Sequence, residues 1–404
     1  MLDLASLRRA VDQDAAIRRR RRLQPVGGKG DKLFPPTYPG ESGPQHVFEV
    51  RRIGGEDVVC VLLDSVQSQA NRLEEALLGA ATGGRIRLPR LVVDFPGAGL
   101  NSVPAISSLD APHRVFDAIL RDSELDGVAF GESELGLRLK RARPHDATAL
   151  LECSPNSLLF GVWNSTGEGG GLGAKFARAI VSEVIAVRVP SEEVVDRRTG
   201  EVHLRTAGRR TKSRVDPLGI VRAVEVWKSD AGWETDAKAA GGRAKKVRPS
   251  EINHGNIAPS IDHLGITCDY AEQTAVITFA GLRRLRFGGS TERDSAGRTY
   301  LAALGLAALA ELDAAGYALR SRCDLVCEGP APLELVGADG TTRQLPLDRS
   351  AATALHEAAF DAALAAGFAL DPEPRVLTPA RKLLHIVEES QRRALHDESD
   401  GSDA

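Results

Sequence analysis

The stretch from Gly161 to Ile180, GVWNSTGEGGGLGAKFARAI, joins an apolar run to five glycines between Gly167 and Gly173 and then to a basic segment. Glycine-rich loops that open onto helices hold phosphates, because backbone N–H groups and the positive helix end converge on one point. Asn164 and Ser165 at the entrance, Gly169, Gly170, Gly171 and Gly173 within the loop, and Lys175 and Arg178 on a helix expected over Ala174–Val184 form a candidate phosphate cradle. A P-loop needs Lys and then Ser or Thr directly after the last glycine, so that the amine reaches phosphate and the hydroxyl reaches magnesium. Here Gly173 is followed by Ala174-Lys175-Phe176, and that pattern fails. A dinucleotide fingerprint fits Gly169, Gly171 and Ala174 only if the intervening Asn164–Glu168 is ignored, and no βαβ unit is evident. A dinucleotide-binding enzyme using loop 167–173 is therefore the alternative reading, and a cradle for a nucleic-acid backbone the favoured one.

Two further segments carry suitable chemistry. In SVQSQANR, residues Ser65, Gln67, Ser68, Gln69, Asn71 and Arg72 open a helix expected over Ser65–Ala80, with Ser65 as its N-cap. Amides and arginine suit sugar, phosphate and base-edge contacts. In GGRAKKVRPSEINHGNIAPS, Arg243, Lys245, Lys246 and Arg248 form a basic cluster, followed by His254 and Asn256. That composition neutralises phosphates, and the upstream Trp227 and Trp233 offer stacking surfaces. His254 and His263 would need a third metal ligand such as Asp262, but lone histidines are more often polar contacts, and no metal site is expected. No nucleophile elbow, zinc-protease or deaminase pattern occurs, and Cys153 has no recognisable histidine partner, so no catalytic residue is expected.

The elements that must position these residues follow from pattern and composition. The chain has 404 residues, 42% of them hydrophobic, enough for a packed core. Its net charge of -3 hides local clusters: residues 1–32 hold nine Lys/Arg against four Asp/Glu, including Arg18–Arg22, and residues 397–404 hold four acids. No apolar run approaches the roughly 20 residues of a membrane span, and no signal-peptide core is seen. The five cysteines read as reduced thiols, so a cytoplasmic place is expected, with no membrane contact. Residues 1–22 carry a helical pattern, and residues 1–44 read as a basic arm with a Pro/Gly linker, the core beginning at Gln45. A hairpin over HVFEVRR and VVCVLL turns at Gly54-Gly55 and leads into the Ser65 helix. A helix is expected from Asp110, a basic insertion over 188–250, and two strands joined by a turn at Asp269–Gln273. Helices are expected over Arg298–Ala315, Ala351–Ala366 and Pro379–Leu395. The core is thus drawn as 45–187 and 251–378, with a final helix and acidic tail over 379–404. Strand pairs mixed with helices argue for an α+β sheet with helices on one face.

LLDSVQSQANRLEEALL, LDAPHRVFDAILRDS, LLFGVWNSTGEGGGLGAKFARAIVSE and PSEINHGNIAPSI, in that order, resemble the backbone subunit of type I-U (I-G) CRISPR Cascade complexes, a branch of the RAMP superfamily. The resemblance spans about Phe48 to Phe287. It implies an RRM-like (ferredoxin-like) palm with large insertions described as fingers and thumb, and a non-catalytic role without a cofactor. Copies would stack as a helical filament on CRISPR guide RNA, holding its sugar-phosphate backbone and leaving bases free to pair with target DNA in antiviral defence. Other Cascade subunits and a recruited helicase-nuclease would be partners. By position, the resemblance places Ser65–Arg72 and the glycine loop with Lys175 and Arg178 against the guide, and makes Arg243–Asn256 a thumb candidate.

Overall fold

The computed structural model describes residues 2–39, 45–164, 173–195, 198–229 and 232–400. The chain divides into two compact units, residues 1–191 with 266–380, and residues 192–265 with 381–404.

The first unit is built on a nine-stranded sheet. Its strands are β1 (Ala16–Pro25), β2 (Phe48–Ile53), β3 (Glu56–Asp64), β4 (Ile180–Val187), β5 (Tyr270–Thr278), β6 (Tyr317–Ala318), β7 (Asp324–Cys327), β8 (Leu333–Val336) and β9 (Thr342–Leu345). The order is β6-β7-β1-β5-β4-β3-β2, with β8 paired to the other end of β1 and β9 paired to β8. Every pairing in it is antiparallel. The longest helices of the same unit are α1 (Leu4–Gln13), α2 (Val66–Thr82), α3 (Thr291–Ala315) and α4 (Arg349–Ala365). Sequence alternation explains which sheet face they cover. Ala271, Gln273, Ala275 and Ile277 of β5 are buried on one side, while Tyr270, Glu272, Thr274 and Val276 are only partly so. Burial extends around nearly the whole of α3 through its Ala and Leu residues, as expected of a helix enclosed by the sheet and by other helices. The fold is α+β, as expected.

The N-terminal segment departs from expectation. The helix over residues 1–22 ends at Gln13, and the arginine run lies in β1, an interior strand rather than a basic arm. Strand alternation sends Arg19 and Arg21 to the helix side, where both pair with Asp313 of α3 at 2.6 Å. Arg18 and Arg20 point the other way, to Glu334 and Glu272, each at 2.7 Å. The Arg22 guanidinium lies 4.1 Å from the Tyr270 ring centroid. Five positive charges are accommodated because acids and an aromatic ring from three other elements, α3, β5 and β8, meet them, so the run is not a free electrostatic arm.

Three other expectations are corrected. Residues 180–184, expected in a helix over Ala174–Val184, instead belong to β4, since IVSEVIAV is rich in β-branched side chains and packs within the sheet. The two strands with a turn at Asp269–Gln273 are one strand, β5, because its buried alternation runs unbroken. The helix expected from Asp110 is reduced to Arg114–Phe116 and Ala118–Arg121, the second capped by Asp117. The hairpin β2–β3 and the Ser65 cap of α2 form as read.

In the second unit, Val202–Thr206 pairs with Ser191–Val195, Arg210–Arg214 with Ile257–Asp262, and Val226–Ser229 lies between Gly232–Glu234 and Lys245–Val247. Helix Arg381–Asp400 is assigned to the same unit.

Candidate nucleic-acid interface

The start of α2 splits into an outward and an inward set. Ser65 Oγ accepts the Ser68 N–H at 3.2 Å and caps the helix. Gln67 and Asn71 are exposed and share a face, while Ser65 and Ser68 are half-buried. Gln69 is wholly buried. Its Nε2 donates to Asp64 Oδ2 at 2.7 Å, and its Oε1 accepts from Ser182 Oγ at 2.8 Å and from Gln273 Nε2 at 3.0 Å. Arg72 Nε donates to the same Asp64 oxygen at 2.9 Å, and Arg320 approaches the other at 3.1 Å. A buried carboxylate needs that compensation, so Gln69 and Arg72 secure the helix to the sheet rather than face a ligand.

The glycine loop is closed by a short ladder. Val162 pairs with Phe176 and Trp163 with Lys175, and the Asn164 N–H donates to the Ala174 carbonyl at 3.1 Å. No helix follows: the chain passes through Lys175–Phe176 into β4, so neither the helix-dipole cradle nor a dinucleotide βαβ unit has its helix. Ser165, Gly169, Gly170 and Gly171 lie outside the described residues. Asn164 is buried, 8% exposed, and is not presented to solvent. Gly173 is required by close approach, since a Cβ there would stand 1.7 Å from the Asn164 carbonyl oxygen. Lys175 and Arg178 are exposed, with no acidic partner among the described residues. Lys175 Nζ stands 5.8 Å from the centroid of the Trp163 ring, itself 50% exposed. Trp163 went unremarked in the sequence, where it reads as the end of an apolar run.

Beneath this neck, Arg114 donates to both oxygens of Glu74 on α2, and Asn156 Nδ2 donates to one of them at 2.8 Å. Arg114 NH1 also reaches the Gly161 carbonyl at 2.9 Å. Gly161 has φ +82°, a conformation that glycine adopts without steric cost.

In the second unit, Arg243, Lys245, Lys246 and Arg248 are all exposed. Lys246 is paired with Glu225 and lies 6.0 Å from the Trp227 ring centroid. Arg243, Lys245 and Arg248 have no acidic partner among the described residues. His254 meets Trp233 edge-on at 5.9 Å, and its carbonyl accepts from Arg214. Asn256 Oδ1 accepts the Asp216 N–H at 2.7 Å. His254 and Asn256 thus hold the turn at Asp216 together, and Arg243, Lys245 and Arg248 are the cations of this cluster that meet no acid among the described residues. Asp262 lies between Arg210 and Lys212, at 3.6 and 3.3 Å. Among the described residues, no three His, Cys, Asp or Glu side chains gather as metal ligands. Burial pushes the Cys153 thiol up to about 12, away from the thiolate a nucleophile needs. No described helix is long and apolar enough to cross a membrane.

Comparison with curated proteins finds no match. Residues 17–191 match the family of CRISPR-associated protein GSU0053, a span that takes in β1 to β4, α2 and the loop neck, and ends where the second unit begins. The chain is thus similar, through residues 17–191, to the GSU0053 family, and the match indicates a CRISPR-associated protein of the Cascade type.

Proposed function

We propose that this protein is a non-catalytic backbone subunit of a type I-U (I-G) Cascade complex, in which several copies polymerise along guide RNA. Each copy grips the sugar-phosphate backbone and leaves bases free to pair with target DNA, while other subunits close the complex and a recruited helicase-nuclease does the cutting. The observation that carries this reading is the pair of exposed cations at the loop neck, Lys175 and Arg178, which meet no acid among the described residues, within the segment matched to a CRISPR-associated family. Strand order supports the palm. In β7-β1-β5-β4, α2 falls in the connection between β1 and β4, and α3 in that between β5 and β7. This is the split β-α-β arrangement of ferredoxin-like and RRM-like domains, with the hairpin β2–β3 added at one edge. Residues 192–265 then correspond to the finger or thumb insertion, and Arg243, Lys245 and Arg248 are its phosphate contacts.

The test is binding of single-stranded RNA by the purified chain at rising salt. Affinity must fall log-linearly with salt as phosphate contacts displace counterions. Salt-independent self-assembly without RNA contradicts the reading and favours a protein scaffold.

A further inference from the structure

We infer that Trp163 is a base-stacking platform at the loop neck, taking one nucleobase of the bound single strand on its open ring face. This rests on the guide-RNA reading and adds a contact that phosphate binding alone does not supply. The two-residue ladder explains why the indole faces outward. Val162 and Phe176 are 7% and 4% exposed and point inward, so alternation turns their neighbours Trp163 and Lys175 to solvent as a cross-strand pair. Trp163 as a residue is half exposed, although burying a large aromatic is among the stronger contributions to stability. The ring is presented on a fixed base, because Gly161, two residues before it, is tied through Arg114 to the buried Glu74. Arg178 closes the group: its Cγ lies 2.9 Å from where a Cβ on Gly161 would stand. An exposed aromatic beside Lys175, with the exposed Arg178 packed at Gly161 two residues away, matches one ligand chemistry, a nucleotide, whose base stacks while its phosphate is neutralised.

Trp163 is one of three tryptophans, so Trp227→Phe with Trp233→Phe, its fold checked by circular dichroism, leaves it as the sole indole emitter. Titration with a single-stranded oligo(A) RNA should quench that emission with the midpoint seen by RNA anisotropy. In the otherwise unaltered chain, Trp163→Ala should weaken RNA binding by roughly five- to a hundredfold, the range for one stacked base, and Trp163→Phe should restore most of it. The slope of affinity against salt should stay unchanged in Trp163→Ala, since stacking releases no counterions. RNA binding without quenching, and with parental affinity in Trp163→Ala, overturns the platform while leaving the guide-RNA reading standing. Absence of RNA binding by the parent chain overturns both.

Discussion

Arg114 donates from Nε and NH2 to the two oxygens of Glu74, each at 2.7 Å, and both side chains are buried. Arg114 adopts this position with φ +53°, an uncommon backbone state for a residue other than glycine. The pair joins α2 to the base of the glycine loop, so packing and the candidate interface depend on one contact. Removing one partner strands the other charge in the interior. Arg114→Ala or Glu74→Ala should lower stability by about 3–5 kcal/mol, measured by chemical denaturation. A loss below about 1 kcal/mol, the scale of a surface pair, would show that the contact is not maintained in solution.

Lys175→Ala combined with Arg178→Ala should weaken RNA binding and flatten its salt dependence by about 1.4 in log-log slope, at roughly 0.7 per single-strand phosphate contact. Both side chains are exposed, so circular dichroism and the melting temperature should be unaltered. An unchanged affinity removes the neck from the interface.

The basic cluster of the second unit should not behave uniformly. Arg243, Lys245 and Arg248 have no acidic partner among the described residues, whereas Lys246 is tied to Glu225. Replacing the first three together by alanine should reduce the salt slope by about 2, and Lys246→Ala should change it less than any one of them. Salt-dependent filter binding reads both, and equal effects at all four positions would contradict the pairing.

Glu357 on α4 gives a pH-dependent term. Burial opposes its charge, but hydrogen bonds from His356 and Arg87 outweigh that and hold its carboxyl down at about 2, below the ordinary 4.5. A depressed carboxylate contributes stability above its unfolded value and loses it as pH falls toward the folded one. The stability advantage of the parent over Glu357→Gln should therefore be constant near neutral pH and shrink as pH drops from 4.5 toward about 2. Denaturant midpoints of the two proteins across that range check the sign, and an advantage that grows on acidification refutes it.

Gly173→Ala tests the ladder itself. Its new Cβ would fall 1.7 Å from the Asn164 carbonyl oxygen, so the neck must open. RNA affinity should drop with little change in melting temperature, because the ladder is only two residues long on each side. A melting temperature lowered as far as in Arg114→Ala would mean that the neck is part of the core.

Local signals were legible where caps, turns and alternation agreed. Ser65 announces α2, Gly54-Gly55 turns the first hairpin, and the alanine- and leucine-rich segments become α3 and α4. Long-range charge pairing was not legible. Arg18–Arg21 read as part of a basic arm because their partners Glu272, Asp313 and Glu334 lie roughly 250 to 315 residues away in sequence. The same limit concealed Gln69 and Arg72, whose amide and guanidinium groups look free until Asp64, Ser182 and Gln273 are brought to them. The basic stretch after the glycine loop was read as a helix because glycine loops often open onto one, while the β-branched residues of β4 pointed to a strand. Trp163 was hidden by its apolar neighbours, and a two-residue ladder leaves little periodicity to detect.

The central claim is tested most directly by co-expressing the chain with a CRISPR array and its neighbouring genes, purifying it, and extracting the nucleic acid that accompanies it. The account predicts a high-mass particle containing several copies of the chain and a discrete RNA of guide length. A nucleic-acid-free monomer under those conditions would contradict it.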